Sequence, residues 1–116
     1  MLFARKITAI TPTQAWEAQR RKDIVLVDVR QPQEQRSDVV AGALLIPLNE
    51  LARRMDELPR GRTVAFLCRS GHRSTLAARQ ARRHGIDVAS IKGGMIAWKQ
   101  AGLPTSTPPR HANHPA

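Results

Sequence analysis

Cys68 is the only cysteine in the chain, and its neighbours suit it to chemistry. The stretch Val64-Ala65-Phe66-Leu67-Cys68-Arg69-Ser70-Gly71-His72-Arg73-Ser74 begins as an apolar run and ends abruptly in the cysteine. A short polar loop with two arginines and a glycine follows, and then a helical pattern opens. Strand, loop and helix together build an anion pocket, because the loop N–H groups and the helix N-terminus converge on one place. A cysteine held there is favoured as thiolate, the charged form. Arg69 and Arg73 add permanent positive charge. The pattern reads as an activated sulfur nucleophile facing an anionic substrate. The competing reading is a core cysteine, since free cysteine is among the most buried residue types. A glycine and two arginines directly behind it are a poor continuation of a buried strand.

The elements that must hold this loop can be read outward from it. Thr63 to Leu67 is the strand that delivers Cys68, and the helix behind the loop covers about Arg73 to His84, capped by Gly85. The basic Arg82-Arg83-His84 in its last turn complements the helix dipole. Ile24-Val25-Leu26-Val27 is an apolar, β-branched run of the kind buried on both faces in a parallel sheet. It ends in Asp28-Val29-Arg30. Ligands in open parallel sheets bind beyond the carboxyl ends of the strands. Asp28 and Arg30 are therefore candidates for the rim of the site or a support behind it. A local turn with an ion pair is the alternative.

Ile7-Thr8-Ala9-Ile10 reads as a first strand. Thr11-Pro12-Thr13-Gln14 reads as a helix start, with Thr11 as cap, Pro12 in the first turn and Gln14 completing a capping box. That helix runs to about Lys22. Gln31 to Asp38 is polar and forms a short helix and loop. Gly42-Ala43 turns into a third strand, Leu44-Leu45-Ile46, stopped by Pro47. Leu48, Leu51, Ala52, Met55 and Leu58 recur at helical spacing and predict an amphipathic helix ended by Pro59. Val88-Ala89-Ser90-Ile91 is a fifth strand. Gly93-Gly94 is a turn before a last helix carrying Met95, Ile96 and Trp98. Strands alternating with helices predict an α/β domain with a mainly parallel five-stranded central sheet flanked by helices. The domain spans residues 1–104, and 105–116 reads as a disordered tail without periodicity.

With 116 residues there is room for one compact domain. Aromatic content is 3 %, so the core must rest on Val, Ile, Leu and Ala. One cysteine excludes an internal disulfide and a cysteine-based structural zinc site, and it suits a reducing, cytoplasmic setting. His111 and His114 read as solvated tail residues, so no metal site is expected, and no cofactor is implied. Met1-Leu2-Phe3-Ala4-Arg5-Lys6 lacks the apolar segment of a signal peptide, and no run is long enough to span a bilayer. The net charge of +10 favours anionic partners. The basic residues are spread in short groups, Arg20-Arg21-Lys22, Arg53-Arg54 and Arg82-Arg83, with few aromatic side chains to stack on bases. This argues for a solvated basic surface rather than a nucleic-acid interface. Nothing in the pattern signals an oligomeric state.

Taken in order, these pieces resemble a single-domain rhodanese, a thiosulfate:sulfur transferase, over nearly the whole chain to Pro104. The resemblance rests on Val27-Asp28-Val29-Arg30, on Gly42-Ala43 with Ile46-Pro47-Leu48, on Cys68 to Ser74, and on Gly93-Gly94 with Ala97-Trp98 and Gly102-Leu103-Pro104. It implies the three-layer rhodanese-like fold and a persulfide mechanism. Cys68 would take the outer sulfur of a small anionic donor such as thiosulfate, releasing sulfite. Backbone N–H groups of Arg69, Ser70, Gly71, His72 and Arg73 would cradle the sulfur, and cyanide or a thiol would remove it. A sulfur-relay protein is a further partner the resemblance allows. Similar domains often carry His-Ile-Pro-Gly-Ala before the third strand. Here the stretch is Val39-Val40-Ala41-Gly42-Ala43, with Val39 in the histidine's place.

Two other classes are distinguishable. Related dual-specificity phosphatases place five residues between cysteine and arginine to wrap a phosphate. Here four separate Cys68 from Arg73, a tighter loop that suits a sulfur atom. A purely protein-binding version of the fold usually lacks the cysteine that this chain keeps.

Overall fold

The computed structural model describes residues 6–107. Five strands alternate with helices: β1 (Ala9–Ile10), α1 (Pro12–Arg20), β2 (Ile24–Asp28), α2 (Pro32–Ser37), β3 (Leu44–Leu45), β4 (Thr63–Leu67), α3 (His72–Arg82), β5 (Val88–Ile91) and α4 (Gly94–Gln100). The sheet order is β1-β5-β4-β2-β3, and every strand pair is parallel. The expected α/β class and five-stranded sheet are observed, with the sheet wholly rather than mainly parallel.

The period of two along β4 sorts the core. Val64, Phe66 and Cys68 face the layer of α3, where Ala77, Ala78 and Ala81 let the helix approach closely. Ala65 and Leu67 face the opposite layer with Ala15 of α1 and Trp98 of α4. Cys68 is thus set on the side of the sheet where α3 begins. The N-terminus of α1 carries the expected capping box: Gln14 N–H donates to Thr11 Oγ1 at 3.1 Å, and Thr11 N–H to Gln14 Oε1 at 2.9 Å.

The amphipathic helix expected between Pro47 and Pro59 is not one helix. It is two 3₁₀ segments, Leu48–Glu50 and Ala52–Glu57, with a break at Arg54 (φ −114°, ψ 16°). Leu51, Met55 and Leu58 are buried as the spacing requires, whereas Ala52 is exposed. Spacings of three, Leu48 to Leu51 and Met55 to Leu58, serve 3₁₀ geometry as well as α. Arg54 straddles the break, donating to Glu50 Oε1 at 3.0 Å and to Glu57 Oε2 at 2.8 Å.

Beyond residue 104, Ser106 makes a defined contact. Ser106 and Val39 exchange backbone hydrogen bonds of 2.8 Å each way, an isolated antiparallel bridge. Trp98 Nε1–H donates to the Pro104 carbonyl at 3.0 Å. Residues 108–116, with His111 and His114, lie outside the described residues, as do residues 1–5. No helix among the described residues is long and apolar enough to cross a membrane.

Candidate active site

β2 and β4 run side by side in register from Ile24↔Thr63 to Asp28↔Leu67. Their carboxyl ends therefore arrive together, and Val29 N–H still donates to the Leu67 carbonyl at 2.9 Å. Beyond β4 the backbone turns at once. Gly71 takes φ +109°, a left-handed conformation that L side chains rarely adopt, and stands at the N-cap of α3. The turn folds the loop back over the cysteine, and Gly71 N–H donates to Cys68 Sγ at 3.0 Å.

A second element fixes the outer wall. The first residues of α4 press against the loop, with Met95 N–H donating to the Cys68 carbonyl at 2.8 Å and Ile96 N–H to the Arg69 carbonyl at 3.1 Å. Both carbonyls are thereby held towards α4. Gly94 makes the approach possible: a Cβ there would lie 2.4 Å from the Cys68 carbonyl oxygen and 2.6 Å from that of Arg69. The sequence showed Gly93-Gly94 as a turn. Only the packing shows that Gly94 is where α4 touches the cysteine loop.

Cys68 is 1 % exposed and lies beneath the loop that follows it. Burial pushes its thiol up, but hydrogen bonds outweigh burial. The Ser74 hydroxyl and the N–H groups of Ser74, Gly71 and Ser70 together hold it below the ordinary thiol range. The sequence pattern alone assigns Ser74 no role. Its signal was its place in the first turn of the helix behind a cysteine, where a hydroxyl can reach back.

The two arginines of the loop differ. Arg69 is exposed and has no ion pair among the described residues. Arg73 is half-buried and grips Glu34 with two bonds, Nη1 to Oε1 at 2.8 Å and Nη2 to Oε2 at 3.0 Å. This fork ties α2 to the first turn of α3 across the mouth of the loop. Arg73 holds the Glu34 carboxyl at about 2, well below the usual carboxylate range. Glu34 had no distinguishing mark in the sequence beyond its place in a polar helix. His72 is exposed at the first position of α3, and Ser70 is exposed at the loop tip.

Asp28 and Arg30 form the local ion pair that was the alternative reading. Asp28 is fully buried and Arg30 is 4 % exposed. Arg30 Nη2 donates to Asp28 Oδ2 at 2.8 Å and to the Asp38 carbonyl at 2.6 Å. Gln35 Nε2 donates to the Asp28 carbonyl at 3.0 Å. Through Asp38 and Gln35 the pair is tied to the segment that carries α2.

Next to the cysteine loop is a cavity of about 280 Å³, lined in part by Arg69, Lys99, Ile96, Met95, Asp38 and Glu34. A larger hollow of about 630 Å³ lies at the other end of β2, around Trp16, Arg20, Lys22 and Arg62, and contains none of the expected site residues. Among the described residues no cluster of His, Cys, Asp and Glu is placed to hold a metal ion.

The fold is a parallel α/β sheet with a buried cysteine at a strand end, ringed by amide and hydroxyl donors. Residues 11–101 match the rhodanese-like domain family model, and the chain belongs to that family. It is 39 % identical over 88 residues to a sulfurtransferase of Allochromatium vinosum, covering 75 % of this chain and 82 % of that one. It is 33 % identical over 98 residues to the thiosulfate sulfurtransferase GlpE of Glaesserella parasuis, covering 84 % and 91 %. Among solved structures, a rhodanese-related protein from Thermoplasma volcanium superposes with a TM-score of 0.80 at 27 % identity, covering 86 % of this chain and 98 % of that one. These relatives support a sulfurtransferase.

Proposed function

We propose that the protein moves sulfane sulfur from thiosulfate, or a persulfide donor, to a thiophilic acceptor through a persulfide on Cys68. The carrying observation is the convergence of donors on a buried sulfur: Gly71 N–H at 3.0 Å, with Ser70 and Ser74 beside it. In the first half-reaction the Cys68 thiolate attacks the outer sulfur of thiosulfate. The new S–S bond forms as the S–S bond of thiosulfate breaks, and sulfite leaves with the electron pair. In the second, cyanide or a thiolate attacks the terminal sulfur, and the Cys68 thiolate departs unchanged.

Arg69 draws the anionic donor to the loop, while Arg73 and Glu34 steady it. The tight four-residue loop over a buried sulfur suits a single sulfur atom better than a phosphate group. A protein acceptor would meet the rim formed by Arg69, Lys99 and Ile96. A single thiol nucleophile suits a reducing compartment such as the cytoplasm.

Intact mass after incubation with thiosulfate tests the reading. The wild type is expected to gain one sulfur and Cys68→Ser none. A wild type that gains no mass removes the transferase reading in favour of a binding module.

A further inference from the structure

The Ser74 hydroxyl beside the Cys68 sulfur has a neighbour of its own. Ser74 Oγ lies 3.6 Å from Cys68 Sγ, 3.1 Å from the Gly71 carbonyl oxygen and 2.7 Å from Ser90 Oγ. Thr75 Oγ1 lies 2.8 Å from the same Gly71 carbonyl and 3.4 Å from Ser90 Oγ. Ser74 is fully buried and Ser90 is 4 % exposed. Ser90 is the polar member of β5, Val88-Ala89-Ser90-Ile91, a parallel strand where a branched apolar residue would pack well. A hydroxyl buried there is costly unless it is bonded.

Counting protons shows which direction the chain takes when Ser74 serves the sulfur. Each hydroxyl has one hydrogen to donate and two lone pairs. Thr75 gives its hydrogen to the Gly71 carbonyl, by far its shorter contact. Ser74 gives its hydrogen to the Gly71 carbonyl or to the sulfur. It can leave the carbonyl for the sulfur without orphaning a buried acceptor, because Thr75 remains there. Either hydroxyl can donate in the 2.7 Å contact, and whenever the Ser74 hydrogen lies on the carbonyl or the sulfur, the hydrogen of that contact is Ser90's. With the Ser74 hydrogen on the sulfur the chain runs from Ser90 to Ser74 to the sulfur, and an accepted bond makes Ser74 a stronger donor.

We propose that Ser90 is a positioning residue that acts through Ser74, fixing the Ser74 hydroxyl as a donor to the anionic sulfur of Cys68. It does not touch the sulfur itself. Its importance for catalysis rests on the transferase reading above, but the hydroxyl chain is testable on the bare thiol. The ionisable groups around it are Arg69 on the loop, His72 and Arg73 on α3 with Glu34 on α2, and Asp28 with Arg30 at the end of β2. The substitutions below leave all of them in place.

The experiment is a pH titration of thiolate absorbance on the full chain, which has one cysteine and no tyrosine to interfere. Ser74→Ala is expected to raise the midpoint most. Ser90→Ala is expected to raise it by about half a pH unit, roughly threefold in the thiolate equilibrium. In the Ser74→Ala background, Ser90→Ala is expected to add nothing. Ser90→Thr and Ser90→Val are nearly isosteric and both suit a strand. Threonine should keep the wild-type midpoint and valine should raise it, and this pair decides the matter even where alanine unfolds the chain. A Ser90→Ala or Ser90→Val midpoint equal to the wild type overturns the proposal. So does an equal rise with and without Ser74, because Ser90 would then act on the loop by another route. A wild type that takes no sulfur from thiosulfate removes the transferase reading and leaves this titration fully readable.

Discussion

Two arginines share one loop, yet they are used differently. Arg69 stands in solvent, where its charge acts at a distance and is screened by salt. Arg69→Ala is expected to raise KM for thiosulfate severalfold with little change in kcat, and added salt should shrink the difference. Initial rates at two ionic strengths check this; a KM unmoved at low salt would show that Arg69 recruits nothing. Arg73 is committed to Glu34, so Arg73→Ala is expected to lower kcat through a loosened loop, and Arg73→Lys should not restore it, since an ammonium cannot form the fork. The carboxyl of Glu34 is depressed from 4.5 to about 2. A depressed carboxyl contributes stability that is fully present above its ordinary value and lost as pH falls through the folded one. The thermal midpoints of the wild type and Glu34→Gln should therefore differ above about pH 4.5 and converge towards pH 2. The sequence exposed both arginines as charges near a cysteine. It hid the partner, because Glu34 lies 39 positions away and only the register of β2 against β4 brings α2 to α3.

At the scale of elements, the loop is held by what surrounds it. The loop and the first turn of α3 supply N–H groups to the sulfur, and α4 holds the Cys68 and Arg69 carbonyls. Gly94→Ala is expected to break the second contact, since its Cβ would overlap backbone atoms that cannot move independently. Gly102→Ala is the control. Gly102 also has positive φ (+73°), but nothing lies within 4 Å of its added Cβ. It should cost about 1 kcal/mol for the left-handed conformation alone. Gly94→Ala should cost clearly more and also remove transfer activity. Thermal unfolding and thiosulfate assays on the pair check this, and equal losses would deny Gly94 its packing role. The strands and helices around the site were legible because their cues are local: β-branched runs, the Thr11 cap and Gly85 after α3. The segment Leu48–Leu58 was misread because an apolar spacing of three or four fits both α and 3₁₀ geometry, and a break at Arg54 leaves no mark in the pattern. Gly94 and Ser90 were visible as residue types, but their roles lie in contacts between elements distant in sequence.

For the whole molecule, the solitude of Cys68 constrains how sulfur can leave. No second thiol exists in the chain, so a loaded persulfide has no internal partner with which to form a disulfide. Discharge must wait for an outside acceptor, and the fold must shelter the terminal sulfur meanwhile. On the proposed reading the shelter is the loop over the buried sulfur, steadied by the Arg73–Glu34 fork. Amide and hydroxyl donors there stabilise negative charge on the outer sulfur as they do on the thiolate. The persulfide is therefore expected to survive desalting and to be lost on addition of cyanide or a small dithiol, with slower discharge by bulky thiols that cannot enter the loop. Because oxidation beyond the sulfenic stage has no internal rescue, unloaded protein should lose activity to peroxide faster than loaded protein restored with cyanide after the same exposure. The measurement is intact mass over time after loading with thiosulfate and removal of excess, with and without acceptor. Equal rates of sulfur loss in both samples would mean that the loop does not store sulfur for transfer.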